Sequence, residues 1–189
     1  MAVEAAGTNA AVTGAIRHAS RVTGTNFQYL VATAQVESRF NPGAAAPTSS
    51  ARGLFQFIEQ TWLATLKEQG PALGYGKIAD AIDRGPSGQY MVTDPRLNDR
   101  IMKLRNDPTA NAVMAAAYTK ENAGKLAGRL GRSPTEGKLY VAHFLGSQGA
   151  GRLISLAESR PGVRADDANH SAPPVFLSGL PQLTVEFSR

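Results

Sequence analysis

One carboxyl stands out by its place in the chain. Phe27, Leu30, Val31 and Ala34 recur at helical spacing, and Gln35-Val36-Glu37-Ser38 continues their phase. At 100° per residue, Ser38 lies in the middle of that apolar stripe and Glu37 at its shoulder. Asn41-Pro42 forces the helix to end nearby. A carboxyl there is partly buried and faces the negative end of the helix dipole. Both effects disfavour the carboxylate and raise its pKa, which a general acid working near neutral pH needs. The position suits a surface or capping Glu equally well, and Arg39 could offset the effect by folding back. Other chemistries are excluded. The chain has no Cys, so it has no thiol nucleophile, iron–sulfur cluster or thiolate zinc. Its three His (His18, His143 and His170) show no His-Glu-x-x-His spacing, which argues against a zinc hydrolase.

The residues around Glu37 extend the pattern. Glu37-Ser38-Arg39-Phe40-Asn41-Pro42 is followed by a small-residue loop and then Gly53-Leu54-Phe55-Gln56. Farther on come Asn111-x-x-x-Ala115-x-x-Tyr118 and Ala142-His143-Phe144-Leu145-Gly146. This succession resembles the soluble lytic transglycosylases of the goose-type lysozyme-like superfamily, in order and rough spacing over about residues 26–158. That family carries Glu-Ser at a helix end, then Gly-Leu-Met-Gln, Asn-x-x-x-Gly-x-x-Tyr and Ala-Tyr-Asn-x-Gly. Here Phe55 stands for Met, Ala115 for Gly, and His143-Phe144 for Tyr-Asn.

The resemblance implies cleavage of the β-1,4 bond between N-acetylmuramic acid and N-acetylglucosamine in peptidoglycan. A single Glu protonates the leaving oxygen, the substrate acetamido group stabilises the cation, and the muramyl 6-hydroxyl closes a 1,6-anhydro ring without a cofactor. Carried over, Glu37 is the acid and then the base. Ser38 and Gln56 order the cleft, Phe55 meets substrate in the same segment, and Tyr118 lines the cleft. His143 takes the place of a Tyr that bonds the catalytic Glu, with Phe144 beside it. Plainer readings stand next to these. Ser38 is also a small buried residue, Tyr118 and His143 also fit a satisfied core, and Trp62 is most simply core. A muramidase of the same fold would need a second carboxylate within about 5–9.5 Å of Glu37; Asp80, Asp83, Asp94, Asp99 and Glu59 are the candidates. A glycan-binding or assembly module without activity is the rival from another class.

The elements that must position these residues read as almost entirely helical. Apolar spacing predicts helices at Val12–Ala19, Phe27–Ala34, Trp62–Leu66, Leu97–Leu104, Val113–Tyr118, Leu139–Gly146 and Leu153–Ala157. Gly70 reads as the stop of the third. Asp94-Pro95, Asp107-Pro108 and Ser133-Pro134 each read as N-cap followed by Pro at N1, and Ser133 to Glu136 reads as a capping box. The expected fold is therefore mainly α, a lysozyme-like helical domain with a small irregular or β-like segment near 52–57. Residues 70–94 are rich in Gly and Pro, leave room for one short helix near Ile78–Ile82, and are expected to shape the cleft rather than build the core.

The 189 residues suit one domain at 1–160, followed by a Pro-containing extension at 161–189 expected to dock back through Val175, Phe176, Leu177, Leu180, Val185 and Phe187. Net charge is +5, carried by dispersed residues, with only 7% aromatics, so no nucleic-acid partner is expected. The expected partner is the peptidoglycan glycan strand, with recruitment by a cell-envelope or appendage assembly as a further option. No run of about 18 apolar residues can span a membrane. Residues 1–20 lack the basic start and apolar core of a signal peptide. The expected location is the periplasm or another exported position at the wall, with a phage virion as the alternative.

Overall fold

The helical spacing is realised in seven α-helices among the residues that the computed structural model describes, 2–159, with side chains from residue 10 onward. They are α1 (Ala2–Thr23), α2 (Phe27–Ser38), α3 (Glu59–Gln69), α4 (Gly76–Asp80), α5 (Pro95–Lys103), α6 (Pro108–Leu130) and α7 (Glu136–Ser159). The extension at 161–189, with its expected docking through Val175 to Phe187, lies outside the described residues. The chain divides into two compact units, one ending at Glu121 and the other beginning at Asn122, so α6 starts in the first and ends in the second.

In the first unit the expected apolar stripes of α1 and α3 are buried: Val12, Ala15, Ile16 and Ala19, then Trp62, Leu63 and Leu66. Trp62 is core, its indole N–H donating to the Ile101 carbonyl at 3.0 Å. The turn between α1 and α2 is fastened to α6. The Thr25 hydroxyl donates to the Ala116 carbonyl at 2.8 Å and the Lys120 ammonium to the Thr23 carbonyl at 2.8 Å. Two of the three expected Asp/Ser-Pro caps hold. The Asp94 carboxylate accepts from the backbone N–H groups of Arg96 and Leu97, and the Asp107 carboxylate from that of Ala110.

Gly70 does stop α3, which ends at Gln69, though with right-handed φ; it starts a 3₁₀ turn, Gly70–Leu73, and the left-handed residue is Gly74. Two expectations are corrected. Segment 70–94 does contribute to the core, because Ala79 and Ile82 are buried. It also folds into a short antiparallel pair, β1 (Asp83–Arg84) with β2 (Tyr90–Met91), after the short helix α4. Gln60 straps this hairpin to α3: its side-chain amide donates to the Tyr90 carbonyl and accepts from the Tyr90 N–H, both at 2.9 Å. The cap of α7 is Thr135, two residues after the expected Ser133. Its hydroxyl accepts from the Lys138 N–H at 3.4 Å, which leaves Pro134 ahead of the cap.

In the second unit, α7 is a helical hairpin rather than one rod. Gly146, at φ 64° and ψ 168°, breaks it where the sequence separates a sixth helix from a seventh. Only a residue without Cβ adopts that backbone readily. The consequence is measurable. Lys138 and Glu158 are 20 residues apart, about 30 Å along a straight helix, yet their side chains meet at 2.7 Å. Leu126, Ala142, Ala150 and Ile154 form the small core between the arms and α6. Glu158 closes the hairpin by accepting from both Lys138 and Arg132. These hydrogen bonds, Lys138 first, hold its carboxyl below the ordinary 4.5. A carboxyl depressed on folding contributes stability above its unfolded pKa and loses it as pH falls through the lower folded value. The protection of amides in residues 147–159, measured against their intrinsic exchange rate, should therefore fall as pH is lowered below 4.5, and Glu158→Gln should remove that acid-dependent step. Equal acid sensitivity in both proteins would show that the pin contributes nothing.

Candidate active site

The carboxyl-bearing helix owes its register to a buried face different from the expected one. Asn26 caps α2, its side chain accepting from the Tyr29 N–H at 3.0 Å. The buried residues are Tyr29, Leu30, Thr33 and Ala34; Phe27 and Val31 are only half-buried. Thr33 can enter the core because its hydroxyl donates to the Tyr29 carbonyl at 2.9 Å. At 100° per residue this face places Glu37 in the middle of the stripe and Ser38 at the shoulder, reversing the expected assignment. Both are half-buried. The Ser38 hydroxyl donates to the Ala34 carbonyl at 3.0 Å, so it closes the last turn.

The backbone then turns sharply. Arg39 and Phe40 both have left-handed φ, 53° and 63°. Their N–H groups reach back to the Gln35 carbonyl at 3.1 Å and the Ala34 carbonyl at 3.3 Å. Gln56, at φ 49°, is the third non-glycine residue with positive φ among the described residues. Each such residue costs on the order of 1–3 kcal/mol and persists only where its surroundings enforce it. All three fall in the segments that carry Glu37-Ser38 and Gly53–Gln56.

The second segment is a tight loop rather than a strand, with isolated bridges Ala45–Arg52 and Arg52–Phe57, as the β-like expectation near 52–57 anticipates. The Gln56 side-chain amide donates to the Gly53 carbonyl at 2.8 Å and to the Ala44 carbonyl at 3.3 Å, and the Gly53 N–H donates to the same Ala44 carbonyl at 2.9 Å. Gln56 thus ties the loop to the strand of chain leaving α2, seven residues after Glu37. Phe55 is corrected to a core residue. Its side chain is 1% exposed, and its N–H donates to the Asn111 side-chain carbonyl at 2.9 Å.

Two buried polar side chains clamp this loop from the far side. Arg105, 6% exposed, donates to the Ser50 carbonyl at 2.6 Å and the Phe57 carbonyl at 3.2 Å, gripping both ends. Burial pulls its pKa down, but a guanidinium stays cationic at working pH. Asn111 takes the Phe55 N–H with its oxygen and gives its amide hydrogen to the Arg105 carbonyl at 2.8 Å. Gly53 lies so close to this pair that a Cβ there would overlap the Arg105 carbonyl oxygen and the Asn111 amide. Tyr118, one face of α6 farther on and half-buried, meets the loop through Phe57, ring centroids 6.2 Å apart at 61°. Arg105 escapes sequence reading because it sits in a 3₁₀ turn, Leu104–Asn106, outside any periodic helix.

In the first unit, then, Ser38 closes α2, Gln56 ties the 50–57 loop to Ala44, and Tyr118 meets that loop through Phe57. His143 and Phe144 belong to the second unit, on the first arm of α7. There His143 lies parallel to Tyr140, centroids 6.4 Å apart, and Phe144 stands edge-on to both at 84°. Of the carboxylates considered as second groups, Asp94 is committed to capping α5 and Asp99 to an exposed pair with Lys103 at 2.7 Å. Asp80 ends α4, Asp83 lies in β1 and Glu59 opens α3. Among the described residues no group of three His, Cys, Asp or Glu could hold a metal, and no helix is long and apolar enough to cross a membrane.

Residues 14–84 match the transglycosylase SLT domain. The mainly helical architecture with a minor two-stranded sheet agrees with the lysozyme-like fold of that domain. Glu37, Ser38, Phe55 and Gln56 lie inside the matched segment; Tyr118, His143 and Phe144 lie beyond it.

Proposed function

We propose, from the match of residues 14–84 to the transglycosylase SLT domain, that this protein is a peptidoglycan lytic transglycosylase with Glu37 as general acid and base. One observation carries the reading: Glu37 sits at the centre of the buried stripe of α2, in its last turn. Half-buried there at a helix end, the carboxyl is in a position to give a proton to a docked glycan. The Glu37 carboxyl gives its proton to the oxygen between N-acetylmuramic acid and N-acetylglucosamine as the C1–O bond breaks. The carboxylate then takes the proton of the muramyl C6 hydroxyl as that oxygen bonds to C1. The 1,6-anhydro ring closes, Glu37 is reprotonated and no water is consumed. Ser38 and Gln56 hold the backbone on either side of the acid, and Tyr118 supports the loop through Phe57.

In this reading residues 1–160 form the catalytic domain, the wall glycan is the substrate, no cofactor takes part, and the protein works on the periplasmic or another wall-facing side. The test is mass spectrometry of muropeptides released in water enriched in ¹⁸O. A transglycosylase yields products one water lighter than a hydrolase and incorporates no label. Labelled, heavier products would replace this reading by a muramidase, and no released products by an inactive glycan-binding module.

A further inference from the structure

We propose that residues 83–93 form a strap that opens and closes as one unit on the outer face of α3, with Tyr90 as its fastening. The two ends of the strap are fixed. Ile82, immediately before it, is fully buried. Asp94, immediately after it, caps α5 through the Arg96 and Leu97 N–H groups. Between those points burial holds little. None of residues 83–93 is buried, and Met91 is 51% exposed.

Polar ties take the place of burial, and they converge on one residue. Arg84 and Tyr90 stand opposite each other in the β1–β2 pair. Asp83 faces Met91 on one side, and the Gly85 N–H donates to the Gln89 carbonyl at 2.8 Å on the other. In that register the Tyr90 N–H and carbonyl point away from β1. The Gln60 side-chain amide takes both, as a residue of a third strand would. The Tyr90 hydroxyl donates to the Glu68 carboxylate at 2.5 Å, about two turns farther along α3. That bond, first among its causes, holds the phenol above its ordinary 10.0, so the hydroxyl keeps its proton and remains the donor. The Arg84 guanidinium lies 5.8 Å from the centroid of the Tyr90 ring.

These hydrogen bonds are exposed. Water competes for every donor and acceptor in them, so each adds only modestly to the closed state. An isolated two-stranded hairpin is marginal by itself. When Tyr90 leaves α3, β2 loses the helix it packs against, and the strands part in the same event. A segment with few buried contacts and exposed hydrogen bonds opens at a free energy well below that of global unfolding. Opening uncovers the outer face of α3 and leaves Trp62, Leu63 and Leu66 in place, because they lie on its buried side. The first unit thus changes its surface without disturbing its core.

Arg84 supplies the readout, because its side chain rests on Tyr90 and its bond to Gly85 is a tryptic site inside the strap. The experiment is limited trypsin digestion of the intact native chain, with cuts after Arg84, Lys77 and Arg100 followed by mass spectrometry. Lys77 in α4 and Arg100 in α5 are exposed sites on the flanking helices. The wild type should be cut after Arg84 before either flank. Gln60→Ala and Tyr90→Phe should each speed the Arg84 cut roughly three- to tenfold, with the flank rates and Tm unchanged. Glu68→Gln keeps an acceptor without its charge and should act in the same direction more weakly. The Gln60→Ala/Tyr90→Phe double variant should show the product of the two factors, because both ties release in one opening. Flank cuts that rise in step with the Arg84 cut would mean that the first unit opens as a whole. A double variant no faster than the faster single variant would mean that the strap frays at separate points. Wild-type rates in both single variants would mean that Tyr90 fastens nothing. Each of these three results overturns the proposal. Hydrogen exchange across residues 83–91 gives the same comparison without a protease.

Discussion

Glu37→Gln is expected to cut wall cleavage by about 10²–10⁴-fold or more while leaving the melting curve and circular dichroism of the chain in place. Gln preserves the shape and the hydrogen-bonding reach of the side chain but has no proton to deliver. The neighbourhood that shapes α2 does not depend on that proton. Asn26 caps the start, Thr33 and Ser38 bond to carbonyls of their own helix, and Arg39 and Phe40 close the end. The check is initial-rate release of soluble muropeptides from purified wall, with both proteins matched in Tm. A Gln variant with wild-type turnover would remove Glu37 from the reaction, and the acid would have to be sought among the other carboxylates.

Gly53→Ala should cost the most stability of the glycine-to-alanine changes in the first unit. Gly53 has φ 82°, a backbone that an L side chain adopts at a cost of about 1–3 kcal/mol. Its new Cβ would also overlap the Arg105 carbonyl and the Asn111 amide, and both are held by the clamp, so neither can step aside cheaply. Overpacking of this kind adds about 1–3 kcal/mol. The summed effect should lower Tm on the order of 10 °C or more and reduce activity beyond the loss of folded protein, because the Gln56 loop must shift. Gly43→Ala is the matched control. An added methyl there lies 3.5 Å from the Asn41 side-chain oxygen, an ordinary contact, and Tm should move little. Equal behaviour of the two variants would mean that the loop is not clamped as described.

Much of this architecture is legible in the residues because local interactions decide it. The buried stripes of α1 and α3, the caps at Asp94 and Asp107, and the break between the arms of α7 follow from spacing, side-chain acceptors and one glycine. The place of Glu37 at the end of α2 is legible for the same reason, since a helix end is a local event. The phase of α2 is not. Whether Phe27 or Tyr29 turns inward depends on what packs against it, and Thr33 looks unsuited to a core until its bond to the Tyr29 carbonyl is seen. Strands of two residues, such as β1 and β2, are too short to show any alternation. The strap from Gln60 to Tyr90 joins residues 30 positions apart. Phe55, apolar inside a motif, reads as a cleft residue, and only its burial shows it to be core.

The clamp on the 50–57 loop fixes an order of events as well as a shape. The carbonyls of Ser50 and Phe57 wait for Arg105, 55 and 48 residues downstream, and the Phe55 N–H waits for Asn111, 56 residues downstream. Closing contacts over such separations is entropically costly and slow compared with winding a helix. An emerging chain can therefore wind α2 and display its acid long before the loop beside it acquires its final form. Residues 14–84, the segment matched to the SLT domain, hold the acid and the loop but neither Arg105 nor Asn111. On the proposed reading, a growing or clipped chain that stops short of residue 111 would carry Glu37 beside an unformed loop, so the site stays incomplete until Arg105 and Asn111 have been made.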